Sequence, residues 1–263
     1  MAMRRTTRRR LVRGALYVVF VAVLAAAVLK ADWETISRYF LNLELAKEQF
    51  PQIITVALRN TILFTVISFV GGLLVGTLMA LMKLSSIGPY RWFATAYIEL
   101  FRGLPALLTI FGFAYMLPIA FGWQLPFKPV GAGLLGLVVV AGAYMAEVIR
   151  AGIQAVPKGQ TEASRSLGMS PLKTTFFVIL PQGMRIIIPP LTNEFVLLLK
   201  DTSLLFIAGS TILTKELTTF ARDATTTNTN GTVLVMAAML YLLVTIPLTR
   251  VVAYLERRMA RAR

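Results

Sequence analysis

The chain has 263 residues, 57% of them hydrophobic, with 27 Lys+Arg against 12 Asp+Glu and a mean hydropathy of +0.71. A soluble domain averages about 45–50% apolar residues even with glycine counted, so this is the composition of a membrane protein. Cys and His are both absent, which removes disulfides, Cys/His metal sites and any catalytic triad built on those residues; the basic residues flank apolar runs instead of alternating with aromatics along a stripe, which argues for membrane orientation and against nucleic acid.

Crossing the hydrocarbon core takes about 20 apolar residues. Runs of that kind are 11–29, 53–82, 93–119, 130–149, 186–207 and 232–252, predicting an all-α, polytopic helical bundle with about six transmembrane helices. The first run follows a basic stretch and has Ala25, Ala26 and Ala27 near its end. That also fits a signal peptide, but about 19 apolar residues exceed the usual 7–15 of such segments. Residues 31–52 mix aromatics and acids at helical spacing and read as an external interfacial helix. The second run is about ten residues longer than needed, so it tilts or projects. Its Gly72 and Gly76 form a GxxxG that allows close helix approach, at a subunit interface or by chance.

In the third run Glu99 and Arg102 are three apart, and an ion pair on one helix face beside Gly103 and Pro105 is the simpler reading. In the fifth, Pro189 and Pro190 predict a kink or break. Glu194 has Pro190, Leu191, Leu197 and Leu198 at its helical neighbour positions, hence no partner on its own helix; a cross-helix pair with Arg102 and contact with a charged substrate both stay open. Asn193 and Lys200 are seven apart, as are Glu194 and Asp201, giving a polar stripe about two turns long. Charge facing lipid costs at least about 2.5–3.5 kcal/mol per group. The stripe, with Thr192, Thr202 and Ser203, is therefore expected to line a water-filled path. Residues 215–231 contain TTTNTNG and read as a surface loop.

Orientation follows the Lys and Arg residues. With the N-terminus inside, the inner segments hold Arg4, Arg5, Arg8, Arg9, Arg10 and Arg13, then Lys83 and Arg91, then Arg150, Lys158, Arg165 and Lys173, and finally Arg250, Arg257, Arg258, Arg261 and Arg263. The outer segments hold few basic residues, matched by acids. Both termini are expected in the cytoplasm.

That topology puts 150–184 inside. Pro157 and Gly159 stop a helix near Val156, a second helix runs from Gln160 to Leu167 and ends at Gly168, and Ser170 caps a third with Pro171 at its first position. Two short helices across a membrane face make a docking surface. Glu162 and Ala163, then Gly168, then Val178, Leu180 and Pro181 resemble the EAA signature of the membrane subunits of ATP-binding-cassette (ABC) importers, E-A-A, three residues, G, nine residues, I-x-L-P. Ser164 replaces the second alanine and Val178 the isoleucine. The stretch from Glu99 to Pro105 resembles ELFRGTP with Leu104 for threonine, and 191–204 resembles LxNEFxxLxKDTSL; both are typical of the polar amino acid branch of these permeases. The likeness covers roughly 55–205, leaving the first helix outside it.

The resemblance implies a type I importer permease fold in a bacterial inner membrane. It divides the chain into residues 1–52 (tail, first helix and external helix) and a core at 53–263. It assigns Glu162, Ala163, Gly168, Leu180 and Pro181 to coupling with a separate ATPase, and Asn193, Glu194, Lys200, Asp201, Thr202, Ser203, Glu99 and Arg102 to a substrate path. Its partners would be ATPase subunits holding ATP and Mg, a second permease, an extracytoplasmic binding protein and a polar amino acid. No Walker A sequence is present, so this chain is expected to be non-catalytic and to bind no cofactor or metal. A permease for an osmolyte, an opine or another small solute, and a self-sufficient channel or carrier, are the alternatives. A membrane-embedded enzyme finds little support without histidine or cysteine.

Overall fold

The computed structural model describes residues 5–122 and 125–260; Arg4, Arg261 and Arg263, used above for orientation, lie outside them. Among the described residues the chain is helical with no strand. In order the helices are α1 (Arg5–Lys30), α2 (Trp33–Phe40), α3 (Leu43–Gln52), α4 (Arg59–Leu84), α5 (Gly88–Gly103), α6 (Ala106–Phe121), α7 (Val130–Gln154), α8 (Lys158–Ser166), α9 (Pro171–Thr174), α10 (Leu180–Asp201), α11 (Leu217–Asn228) and α12 (Thr232–Ala260). Among the described residues five helical stretches are long and apolar enough to cross a membrane, and α5 with α6 makes a sixth if that bent pair counts as one.

The third apolar run, 93–119, is divided between two helices, α5 and α6, which meet at 106°. The break falls at Leu104 (φ −87, ψ 142) and Pro105 (φ −57, ψ 130). Proline pushes the residue before it out of the helical region and donates no N–H. The two prolines inside α10 behave otherwise. Of the kink or break expected at Pro189 and Pro190, the break is absent, since α10 runs helically from Leu180 to Asp201. The irregularity lies earlier, in a π-helical turn at Thr175–Ile179 where the Leu180 N–H donates to Thr175 C=O, immediately before Pro181. The wider turn accommodates a residue that has no N–H to give.

At the centre is α7, 72% of whose apolar window is buried, against none of that of α1. Its main neighbour is α4, and the contact explains Gly72 and Gly76. A Cβ at Gly72 would lie 2.7 Å from Ala141 Cβ, and one at Gly76 would lie 2.9 Å from both the Gly142 carbonyl oxygen and Met145 Cβ. The GxxxG therefore packs inside this chain, as the close helix approach expected of it, and of the two alternatives left open the subunit interface is corrected. Phe64, Leu137, Met145, Ile187 and Leu198 belong to the surrounding apolar cluster.

The segment 31–52 is two helices instead of one. Asp32 caps α2, its carboxylate accepting from the Thr35 N–H at 3.0 Å, and Asn42 caps α3, accepting from the N–H groups of Glu44 and Leu45. Leu45 joins Ile53, Ala57, Leu217, Ala221, Val233 and Ala237 in a second apolar cluster. Residues 217–228, expected as loop, form α11. Leu217 and Ala221 are fully buried there, and the threonines that weaken helix propensity donate to carbonyls one turn back, Thr226 to Arg222 and Thr227 to Asp223.

Three hydrogen bonds fix which ends share a face. The Asn42 N–H donates to Thr232 Oγ1 (3.0 Å), the Gly231 N–H to Tyr39 C=O (2.8 Å) and Asn230 Nδ2 to Arg38 C=O (3.0 Å). The end of α2 therefore lies beside the start of α12. With α1 and α12 taken as crossings, the start of α1 and the end of α12 fall on the opposite face. Following the crossings in order places α8 and α9 on that opposite face as well.

Candidate functional site

The loop after α7 builds the surface the sequence pointed to. α7 and α10 cross where a Cβ at Gly152 would meet Ile187 Cγ1 at 2.2 Å and one at Gly183 would lie 3.6 Å from the Gly152 carbonyl oxygen. That crossing holds the two ends of the loop together. Between them, α8 ends at Gly168, whose φ of +82 is the left-handed conformation that glycine adopts at a helix end. The Gly168 N–H donates to Arg165 C=O and the Met169 N–H to Ser164 C=O, while the Arg165 guanidinium reaches Met169 C=O. Ser170 caps α9, its hydroxyl accepting from the Lys173 N–H at 3.3 Å, with Pro171 at the first position. The second helix differs from expectation at both ends, running Lys158–Ser166 instead of Gln160–Leu167.

Glu162, Ala163 and Gly168 are exposed on α8 and at its end, as are Leu167 (84%) and Leu172 (72%). Ser164 is buried under them, and Leu180 and Pro181 stand partly and fully exposed at the foot of α10. Gln182 Nε2 donates to Gln160 Oε1 at 3.4 Å and to Val178 C=O at 3.0 Å, tying α10 back to α8. The result is a short braced helix with an acid and two large apolar side chains facing outward.

The charged groups of the crossings are distributed differently. The Arg102 guanidinium lies 5.5 Å from the centre of the Tyr144 ring, and no ion pair joins it to Glu99 among the described residues, so the expected pair is absent. Arg102 sits at the end of α5 beside the break, where the chain turns it toward α7. Glu194 feels both Arg102 and Asp201 electrostatically, and Asp201 feels Lys200. Asn193 and Lys200 are exposed, while Glu194, Asp201 and Ser203 are half-buried. Thr202 is fully buried and donates to Leu199 C=O at 2.7 Å, so it supports the turn after α10 and faces no path within this chain. Glu99 is exposed on α5.

Two carboxylates were not singled out from sequence. Glu147 on α7 accepts from Lys83 Nζ at 3.3 Å and from Arg150 Nε at 3.1 Å, pinning the end of α4 to α7; the Glu147/Arg150 spacing was its signal. Glu216 is 1% exposed. It caps α11, accepting at 2.6 Å from each of the Thr218 and Thr219 N–H groups and from the Thr219 hydroxyl, with Tyr241 Oη 3.4 Å away. Burial pushes its carboxyl above the ordinary value, against the hydrogen bonds from Thr219 and Thr218 that pull it down. Its signal was the acid directly before Leu217, Thr218 and Thr219, an N-cap pattern.

Residues 72–261 match the profile of the binding-protein-dependent transport system inner membrane component family. The chain is 36% identical over 220 residues to the L-cystine transport system permease protein TcyB of Bacillus subtilis, covering 83% of this chain and 91% of that one. It is 37% identical to the probable glutamine ABC transporter permease protein GlnM of the same organism, covering 77% and 91%. Among solved structures, an amino acid ABC transporter described as "with histidines" superimposes with a TM-score of 0.73 at 35% identity, over 82% of this chain and 97% of that one. The inward-facing MetNI methionine ABC transporter, at 21% identity and a TM-score of 0.59, shares the fold. On the profile match and on identity over most of both chains, this multi-pass membrane protein belongs to the family of binding-protein-dependent transport system inner membrane components, the ABC importer permeases.

Proposed function

We propose that the chain is the non-catalytic permease subunit of an importer for a polar amino acid. An extracytoplasmic binding protein delivers the substrate, and ATP with Mg is hydrolysed on separate ATPase subunits that engage α8. The observation that carries this reading is the braced, outward-facing α8 with Glu162, Ala163 and Leu167 exposed at the junction of two packed helices. A push on α8 is transmitted to α7 and α10 through the Gly152 crossing, as rigid-body switching requires. A second permease, identical or homologous, completes the pathway. Both termini and α8 are assigned to the cytoplasmic side of a bacterial inner membrane, with residues 1–52 an attachment to the core at 53–263.

The substrate path is assigned to Asn193, Glu194, Lys200, Asp201, Ser203, Arg102 and Glu99, with Thr202 as its buried support. An amino acid carries both an ammonium and a carboxylate, and groups of both signs replace part of its hydration. The relatives named for cystine and glutamine support an amino acid over an osmolyte or opine.

The test is purification from native membranes in mild detergent, alone and as Gly168→Asp, with the accompanying proteins identified by mass spectrometry. An ATPase that accompanies the parent and is lost from the variant supports the reading. Absence of an ATPase from both, under conditions that preserve known membrane complexes, overturns it in favour of a self-sufficient channel or carrier.

A further inference from the structure

Two helices outrun the membrane on the same face. At 1.5 Å per residue the 28 residues of the last crossing, Thr232–Met259, are about 42 Å long, and the 26 residues of α1 about 39 Å, against about 30 Å of hydrocarbon. The far-face end of each is fixed, since α2 follows α1 directly and hydrogen-bonds to the turn that starts α12. The excess of both helices therefore projects on the face that carries α8.

That excess is arginine-rich. By sequence, the first turns of α1 hold Arg5, Arg8, Arg9, Arg10 and Arg13, of which Arg9 and Arg13 are seen exposed. On α12, Arg250, Arg257 and Arg258 are exposed, with Tyr254 beside them at 57%. Arg257 spends only its Nε, on Ala253 C=O at 3.0 Å, so its terminal N–H groups stay available. No salt bridge involves Arg9, Arg13, Arg250, Arg257 or Arg258 among the described residues, and Glu256 is the only acid in the sequence of either overhang.

The surroundings of α1 indicate the partner. None of its apolar window is buried, and Leu16, Tyr17, Phe20 and Leu24 are all at least half exposed. An apolar helix of spanning length lies in the bilayer whether lipid or the second permease flanks it, and the layer at its basic end is the headgroup layer of that leaflet. We infer that the arginine ends of α1 and α12 form a binding surface for anionic phospholipid headgroups, separate from the α8 surface. Guanidinium forks match phosphodiester oxygens, and a basic cluster at the end of a membrane helix is attracted to an anionic leaflet.

The test is native mass spectrometry of the purified full chain titrated with phosphatidylglycerol and, separately, phosphatidylcholine of the same acyl composition. The expected result is a preference for phosphatidylglycerol of about tenfold or more that shrinks as salt is raised. It should fall in steps in Arg9→Gln/Arg13→Gln and in Arg250→Gln/Arg257→Gln/Arg258→Gln, and should survive when the same positions become Lys. Equal binding of both lipids, or a preference insensitive to salt, overturns the inference without any variant. A preference lost only in Lys158→Gln/Arg165→Gln/Lys173→Gln moves the anion site to α8 and α9 and overturns it too.

Discussion

Ser164 Oγ lies 3.2 Å from Thr174 Oγ1, joining α8 to α9 across Gly168, with both residues buried. Ser164 Oγ is also 2.9 Å from Thr161 C=O. The Ser164 hydroxyl donates toward both the Thr161 carbonyl and Thr174 Oγ1, one proton facing two acceptors. The departure from the EAA signature at this position is thus a structural cross-link.

Ser164→Ala restores the signature but leaves the Thr174 hydroxyl without that partner. The expected cost is about 1–3 kcal/mol, read as a lower unfolding temperature of the detergent-purified chain. Adding Thr174→Val should recover part of it, because the stranded hydroxyl goes with its partner. A double mutant as destabilised as the sum of two singles would refute the cross-link.

Gly168→Ala should cost about 1 kcal/mol from its positive φ alone, since a Cβ there meets nothing within 4 Å. Its effect on stability is then small, and any large loss must appear in ATPase association or substrate uptake. A loss of fold equal to the loss of uptake would place Gly168 among packing residues.

Gly76→Leu forces side-chain atoms into the α7 backbone, starting from a Cβ already 2.9 Å from the Gly142 carbonyl oxygen. Overpacking of this kind costs about 1–3 kcal/mol or more. Gly14→Leu, where a Cβ meets nothing within 4 Å, serves as the control and should leave the unfolding temperature unchanged. If Gly76→Leu instead left the fold intact but disrupted the dimer, the intrachain assignment would be overturned.

Glu216 predicts a pH dependence of stability. Its folded-state carboxyl is raised above the ordinary value of 4.5, chiefly by burial, so the folded chain favours the protonated form. The contribution to stability is full below the unfolded-state pKa and is lost as pH rises through the folded-state value. Glu216→Gln cannot ionise. The unfolding temperature of the parent relative to Glu216→Gln should therefore fall as pH rises from about 4 and level off once Glu216 is charged. A difference that grows with pH would mean that the Thr218 and Thr219 hydrogen bonds outweigh burial.

Much of the loop at 150–184 was legible because its signals are local. Pro157, Gly168, Ser170 and Pro171 act through their own dihedrals and missing or added hydrogen bonds, and each does the expected thing. α11 was not legible, because its threonines argue locally for a loop and only burial of Leu217 and Ala221 against α3, residues 53–58 and α12 outweighs them. Glu99 and Arg102 have the spacing of an ion pair, but the aromatic ring of Tyr144 comes from another helix.

By itself the sequence determined that the chain crosses a membrane about six times, where its basic residues concentrate and which loop carries the signature of an ABC importer permease, since hydrophobic length, charge placement and turn chemistry are written residue by residue. Only the tertiary structure decided that Gly72 and Gly76 serve an internal contact, that Thr202 is buried, that Glu216 is a capped and enclosed acid, and that the segment following α1 lies against the start of α12. Each of those depends on what a distant segment brings against the residue, and a one-dimensional pattern carries no record of that.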